Sequence, residues 1–219
     1  MAPIILGYWD IRGLAQPIRL LMEYAGLEWE DKLYSMTGKD PVVDKMCWYG
    51  VKESLGFDFP NLPWLVDGDV KLTQTTAIIR HLARKTNLGG QSDDEKRRVD
   101  LMEAEWKDFC GPFVEMCYDK NFDTVKKEYP ARVGPKLARF SAFLGDKPWF
   151  AGNELTYVDF LMYEMFDQHK LLDPSILSKF GNLEQFMTRV EALPRIAEFM
   201  KSPKFVKYPL NNRHALFGG

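Results

Sequence analysis

Hydrophobic and polar positions follow two different rhythms along the 219 residues. Residues 3–9 form a nearly continuous apolar run, the pattern of a short buried strand. From Ala15, apolar residues at Ile18, Leu21, Met22 and Ala25 keep the i, i+3, i+4, i+7 spacing of an amphipathic helix. Pro17 suits its first turn and Gly26 its C-terminal end. Residues 29–34 read as a second strand, and 35–58 as a loop with one helical turn near 43–51. Residues 62–66 and 70–73 flank Asp67-Gly68-Asp69, a hairpin signal. A helix over about 76–85 follows, with Ile78, Ile79 and Leu82 on one side.

The rhythm then changes. Residues 87–95 are dense in turn chemistry, and Ser92 with Glu95 forms a capping box that starts a helix. Beyond it only helical periodicity remains, over 93–118, 126–144, 157–170, 182–192 and 195–201. Thr156-Tyr-Val-Asp159 is a second cap-like start, read as structural. The expectation is an α/β domain over 1–85, a linker over 86–92 and an all-α domain over 93–219.

Composition narrows the class. Hydrophobic residues make up 46% and charged residues 27%, a globular balance, and 29 basic side chains nearly cancel 31 acidic ones. No basic stripe interleaved with aromatics suggests nucleic acid, and no apolar run reaches the ~20 residues of a membrane helix. The first residues lack the basic region of a signal peptide. Three cysteines without a Cys-x-x-Cys pair fit a reducing cytoplasmic setting. His81, His169 and His214 lie far apart and near no Cys pair, so no metal site is expected. Cys110 and Cys117, seven apart on one helix, read as buried small hydrophobes.

Three segments carry candidate chemistry. Leu6-Gly-Tyr8-Trp-Asp-Ile-Arg-Gly13 closes the first strand, where side chains line ligand crevices of α/β sheets. Read alone, Tyr8 is a core aromatic whose hydroxyl a backbone group satisfies. Leu72-Thr-Gln-Thr75 runs into a helix N-terminus, a ready carboxylate site, although an ordinary N-cap also explains Thr75. Phe59-Pro-Asn-Leu-Pro63 enters a strand through an X-Pro bond.

Together with Asp67-Gly68, the run 72–80, Trp149-Phe-Ala-Gly152 and Thr156-Tyr-Val-Asp-Phe160, these segments resemble the cytosolic glutathione transferases, most closely the mu class. The resemblance covers nearly the whole chain. It implies a thioredoxin-like N-terminal domain that binds glutathione and a helical-bundle C-terminal domain that supplies most of an electrophile pocket. It implies a transferase that adds the glutathione thiolate to hydrophobic electrophiles in detoxification, with glutathione as co-substrate and no other cofactor.

By the same resemblance, Tyr8 would donate its hydroxyl hydrogen to the glutathione sulfur. Trp9 and Leu14 would wall the site, Trp48, Lys52 and Asn61 would hold the glycyl end, and Lys45 would also bind glutathione. Leu62, before a cis Pro63, would pair with the cysteinyl backbone. Gln74 and Thr75 would take the γ-glutamyl end, and Asp108 would reach it from a second subunit. Ile11, Leu14, Val114 and Tyr118 would face the electrophile. Phe59 would anchor a homodimer; Arg80 and Arg84 read either as part of that interface or as a solvated helix face. Thr75 stands where mu members carry Ser, and Lys45 where Arg is common, which keeps the charge without the fork. No pocket residue is transferred to 208–217, and Gly218-Gly219 read as a frayed end. A carrier of hydrophobic ligands, or an isomerase using the same thiolate, would share these features.

Overall fold

The computed structural model describes residues 2–36 and 45–219. Its sheet has four strands, β1 (Ile4–Trp9), β2 (Trp29–Tyr34), β3 (Trp64–Asp67) and β4 (Val70–Thr73), in the order β2-β1-β3-β4. β1 runs parallel to β2 and antiparallel to β3. It is central and buried, which explains its unbroken apolar run. Gly7 lies opposite Trp64, and a Cβ there would fall 2.0 Å from the Trp64 ring. The crossover from β1 to β2 is α1 (Gln16–Ala25), closed by Gly26 at φ 67°. Arg19 on α1 is fully buried; it donates to Asp31 of β2 at 3.0 Å and to the Ile11 carbonyl at 3.0 Å.

After β2, the expected turn near 43–51 is the short helix α2 (Met46–Tyr49); residues 43 and 44 lie outside the described residues. β3 begins two residues later than expected, after a cis Leu62–Pro63 bond. The hairpin leads into α3 (Thr75–Thr86).

Five helices follow: α4 (Asp93–Cys117), α5 (Phe122–Leu144), α6 (Tyr157–Leu172), α7 (Gly181–Glu191) and α8 (Pro194–Phe199). Ser92 and Glu95 make both bonds of the expected capping box. Helix α5 starts four residues before the expected 126 and carries Pro130 and Pro135 inside it. Tyr129, Val133, Leu137, Phe140 and Leu144 hold it in place, buried at helical spacings of three or four. Asp159 on α6 accepts from the amides of Phe150 and Thr156 at 2.8 Å each, so Thr156-Tyr-Val-Asp159 is a structural cap. Burial pushes that carboxyl up to about 6, against the pull of these donors.

One continuous core spans both parts, with Tyr24 of α1 against Phe160 of α6 and Trp29 of β2 against Phe199 of α8. A buried ion pair crosses the same boundary. Arg12, 2% exposed, donates to Glu164 through Nε at 2.9 Å and to Asp167 through Nη2 at 2.7 Å. Gly218 departs from the frayed end read from the sequence. Its carbonyl accepts the amides of Leu210 and Asn211 at 2.8 Å each, which ties the segment down. Among the described residues no helix is long and apolar enough to cross a membrane, and no group of three or more His, Cys, Asp or Glu could hold a metal ion.

Candidate active site

The C-terminal end of β1 and the loop after it, the start of α3, the C-terminal half of α4, one face of α6 and residues 211–212 line a cavity of about 580 Å³. Eight residues singled out in the sequence line it: Tyr8, Trp9, Ile11, Leu14, Gln74, Thr75, Val114 and Tyr118. Strand alternation faces the Tyr8 ring away from the side that Gly7 leaves free for Trp64.

Tyr8 is 6% exposed, and both readings of it hold at once. Its hydroxyl oxygen accepts the Leu14 amide at 3.1 Å, so a backbone group does satisfy it. The ring nevertheless lines the cavity. Gly13 makes this approach possible: at φ 41°, a Cβ there would fall 2.7 Å from the Tyr8 oxygen. Burial pushes the Tyr8 hydroxyl up to about 12, against the pull of the Leu14 amide and Arg19. It is therefore a protonated donor across the physiological range. Its acceptor lone pair is used by Leu14, and its proton is free to point at a ligand.

At the start of α3, Gln74 rather than Thr75 is the N-cap. It adopts φ 72° and ψ 119°, a left-handed conformation rare for a non-glycine residue, and makes no side-chain cap bond. The first amides of α3 are thus left open beside the cavity, where the helix dipole favours a carboxylate. The buried Thr75 sits one position inside the helix, so the ordinary N-cap explanation for it does not apply.

The other named residues sit outside that lining. Trp48 is buried edge-on against Tyr34, with ring centroids 5.2 Å apart, in a small cluster with Trp64. Trp9 and Leu62 pack on the same cluster, and Trp9 also lines the cavity, so the two regions adjoin. Lys45 precedes α2 and its carbonyl accepts the amides of Trp48 and Tyr49 at 3.0 Å each. Lys52 pairs with Glu53 at 3.2 Å. The Asn61 side-chain oxygen accepts the Leu62 amide at 2.9 Å, and Pro63 is buried. Asp108 is exposed on α4, as are Phe59 on its loop, at 77%, and Arg84 on α3. Arg80 donates to Glu103 of α4 at 2.8 Å and is engaged within this chain.

The matching sequence models are those of the glutathione S-transferase N-terminal domain, over residues 5–84, and C-terminal domain, over 107–203. Glutathione S-transferase Mu 2 of Mus musculus is 48% identical over 208 residues, covering 95% of each chain. Glutathione S-transferase Mu 5 of Mus musculus is 46% identical over 98% of this chain and 96% of that protein. This chain belongs to the glutathione S-transferases, mu class. The solved structure of the glutathione S-transferase Blo t 8 superposes on it with a TM-score of 0.88, at 30% identity, covering 98% of this chain and all of that one. The transferase fold expected from the sequence is therefore the one observed.

Several cavity residues of this transferase escaped the sequence reading. Lys107, Cys110, Gly111 and Glu115 of α4 all line it. Charges eight apart on a helix look like a solvated face, and only the heptad-like spacing of 107, 111 and 114 hinted otherwise. Burial raises the Cys110 thiol to about 12, which makes it inert, in keeping with the sequence reading. Asn211 and Asn212 also line the cavity, from a segment with no periodicity to read.

Proposed function

We propose that the Tyr8 hydroxyl holds the sulfur of bound glutathione as a thiolate, which attacks hydrophobic electrophiles lodged against Ile11, Leu14, Val114 and Tyr118. The observation that carries this reading is the protonated phenol facing the cavity next to the open N-terminus of α3. A free thiol has a pKa near 8.5 and is mostly protonated at neutral pH. A hydrogen bond to the charged form stabilises that form. A two-unit fall corresponds to about 2.7 kcal/mol, within reach of one buried donor to a charged acceptor.

In this reading the γ-glutamyl carboxylate takes the first amides of α3 with Gln74 and Thr75. Leu62 turns its amide from Asn61 to the cysteinyl backbone. Lys45, Trp48, Lys52 and Asn61 serve the glycyl carboxylate from the adjoining cluster. Glutathione is a co-substrate, and no other cofactor enters the mechanism. The protein acts in the cytoplasm as a homodimer, with the exposed Phe59 as anchor, Arg80 and Arg84 beside it, and Asp108 of one protomer reaching the glutamyl amine bound to the other.

Steady-state assays with glutathione and a panel of aryl halides and unsaturated carbonyls test the reading. Conjugates should form with equimolar loss of glutathione. Tight glutathione binding without any conjugate would instead mark a carrier, and turnover without glutathione consumption an isomerase.

A further inference from the structure

Residues 208–219 form no helix or strand, yet they are bonded on both sides to the surroundings of Tyr8. The Pro209 and Leu210 carbonyls accept the amides of Arg12 and Gly13 at 2.9 and 3.0 Å. Asn211, 5% exposed, closes the segment on itself. Its side-chain amide donates to the Phe217 carbonyl at 3.1 Å, and its backbone amide donates to Gly218. Asn212 donates its amide to the Tyr118 hydroxyl at 2.9 Å, and Leu216 donates its amide to the Cys117 carbonyl at 2.7 Å. The turn therefore ties the loop after β1 to the end of α4.

Three successive amides of that loop have ordered roles. Those of Arg12 and Gly13 go to the turn, and that of Leu14 goes to the Tyr8 oxygen. Where the third amide points is set by where the first two are held. Gly13 already lies against the phenol, so a small shift of this loop moves the bond. A hydroxyl that accepts a hydrogen bond is polarised into a stronger donor.

We infer that Asn211 is a positioning residue for Tyr8: by closing the turn with Phe217 and Gly218 it presents the Pro209 and Leu210 carbonyls that keep the Leu14 amide on the Tyr8 hydroxyl. This inference rests on the glutathione-transferase reading of Tyr8. The titratable groups facing that hydroxyl are Arg19 of α1, Cys110 of α4 and Tyr118 at the end of α4, and none belongs to the turn.

Asn211 also lines the cavity, so its own substitution could act by contact with a substrate. Gly218 does not line it. It sits at φ 74°, and a Cβ there would fall 2.8 Å from the Leu210 Cβ, so Gly218→Val opens the turn from outside the cavity.

The experiment follows the ultraviolet absorbance of the glutathione thiolate against pH in the wild type, Asn211→Ala and Gly218→Val, each also in a Tyr8→Phe background. Both substitutions should raise the midpoint of the bound thiol by about half to one unit, a three- to tenfold loss of thiolate below it. Gly218→Val should leave glutathione affinity unchanged below the wild-type midpoint, where the bound thiol is protonated, and weaken it above that midpoint by no more than the loss of thiolate; neither substitution should add to the effect of Tyr8→Phe. Where Gly218→Val does not fold, by far-ultraviolet circular dichroism, Gly218→Ala takes its place. A lowered wild-type midpoint that both variants retain would overturn the inference, as would a shift undiminished without the Tyr8 hydroxyl. A wild-type midpoint no lower than that of free glutathione would overturn the reading of Tyr8 beneath it.

Discussion

Tyr8→Phe removes one oxygen and leaves a ring that is already packed, at 6% exposure. Two hydrogen bonds disappear with it. The one from Leu14, 3.1 Å long, ends beside the cavity, where water replaces the lost acceptor, so folding stability should change by no more than about 1 kcal/mol. The bond to the glutathione sulfur is different, because it stabilises only the charged form. Hydrogen bonds to charged groups contribute about 1.5–3 kcal/mol, or about one to two pKa units at 1.36 kcal/mol each. Below the wild-type midpoint the thiolate fraction should fall about ten- to a hundredfold, and the loss should shrink to about twofold at the new midpoint. The assay is kcat/KM for an activated aryl halide against pH, with glutathione held saturating so that the titrating species is the enzyme–glutathione complex. The acid limb should move up by about one to two units, and the variant should regain most of its rate at high pH, where the thiol ionises unaided. An acid limb that stays in place would remove Tyr8 from thiol activation.

Two further outcomes follow from buried groups away from the sulfur. Glu164→Gln removes the more deeply buried of the two carboxylates on the Arg12 guanidinium and leaves Asp167, so it should cost about 1–3 kcal/mol in denaturant unfolding; a Glu164→Gln variant as stable as the wild type would contradict this. His169 is fully buried, stacked on Phe109 at 4.5 Å and held between the Tyr129 hydroxyl and the Met165 carbonyl. The carbonyl can only accept, so Nδ1 carries the proton and Nε2 accepts from Tyr129. Burial lowers the ring to about 4 from its ordinary 6.5, so the unfolded chain binds the proton first as pH falls. The stability that neutral His169 contributes should fall by about 2 kcal/mol between pH 7 and pH 5, and a His169→Gln variant should lose that part of the pH dependence.

What could be read from the chain alone tracks how local the cause is. β1, α1 and the two capping boxes are set by neighbours within one or two turns, so Pro17, Gly26, Ser92 with Glu95, and Thr156 with Asp159 announced them. Tyr8, Trp9, Ile11, Gln74 and Thr75 stood out by their place at a strand end and a helix start, whereas Leu14, Val114 and Tyr118 were legible only because long, specific motifs resemble the mu class. Elsewhere the cause is distant. Glu164 pairs with an arginine 152 positions earlier, and no local pattern marks it as buried. Helix α5 runs through Pro130 and Pro135 because its apolar face is covered by other helices, which overrides propensity. The turn that holds Asn211 and Gly218 is placed by bonds from Arg12 and Gly13 to the Pro209 and Leu210 carbonyls, about two hundred positions away, so the segment gave no periodicity and its last residues looked loose.

The most direct test of the whole account is a crystal structure of this transferase with bound glutathione. The sulfur should lie within hydrogen-bonding reach of the Tyr8 oxygen, with the Leu14 amide still on that oxygen and the γ-glutamyl carboxylate on the first amides of α3. A sulfur held by another donor, with the Tyr8 hydroxyl out of its reach, would contradict it.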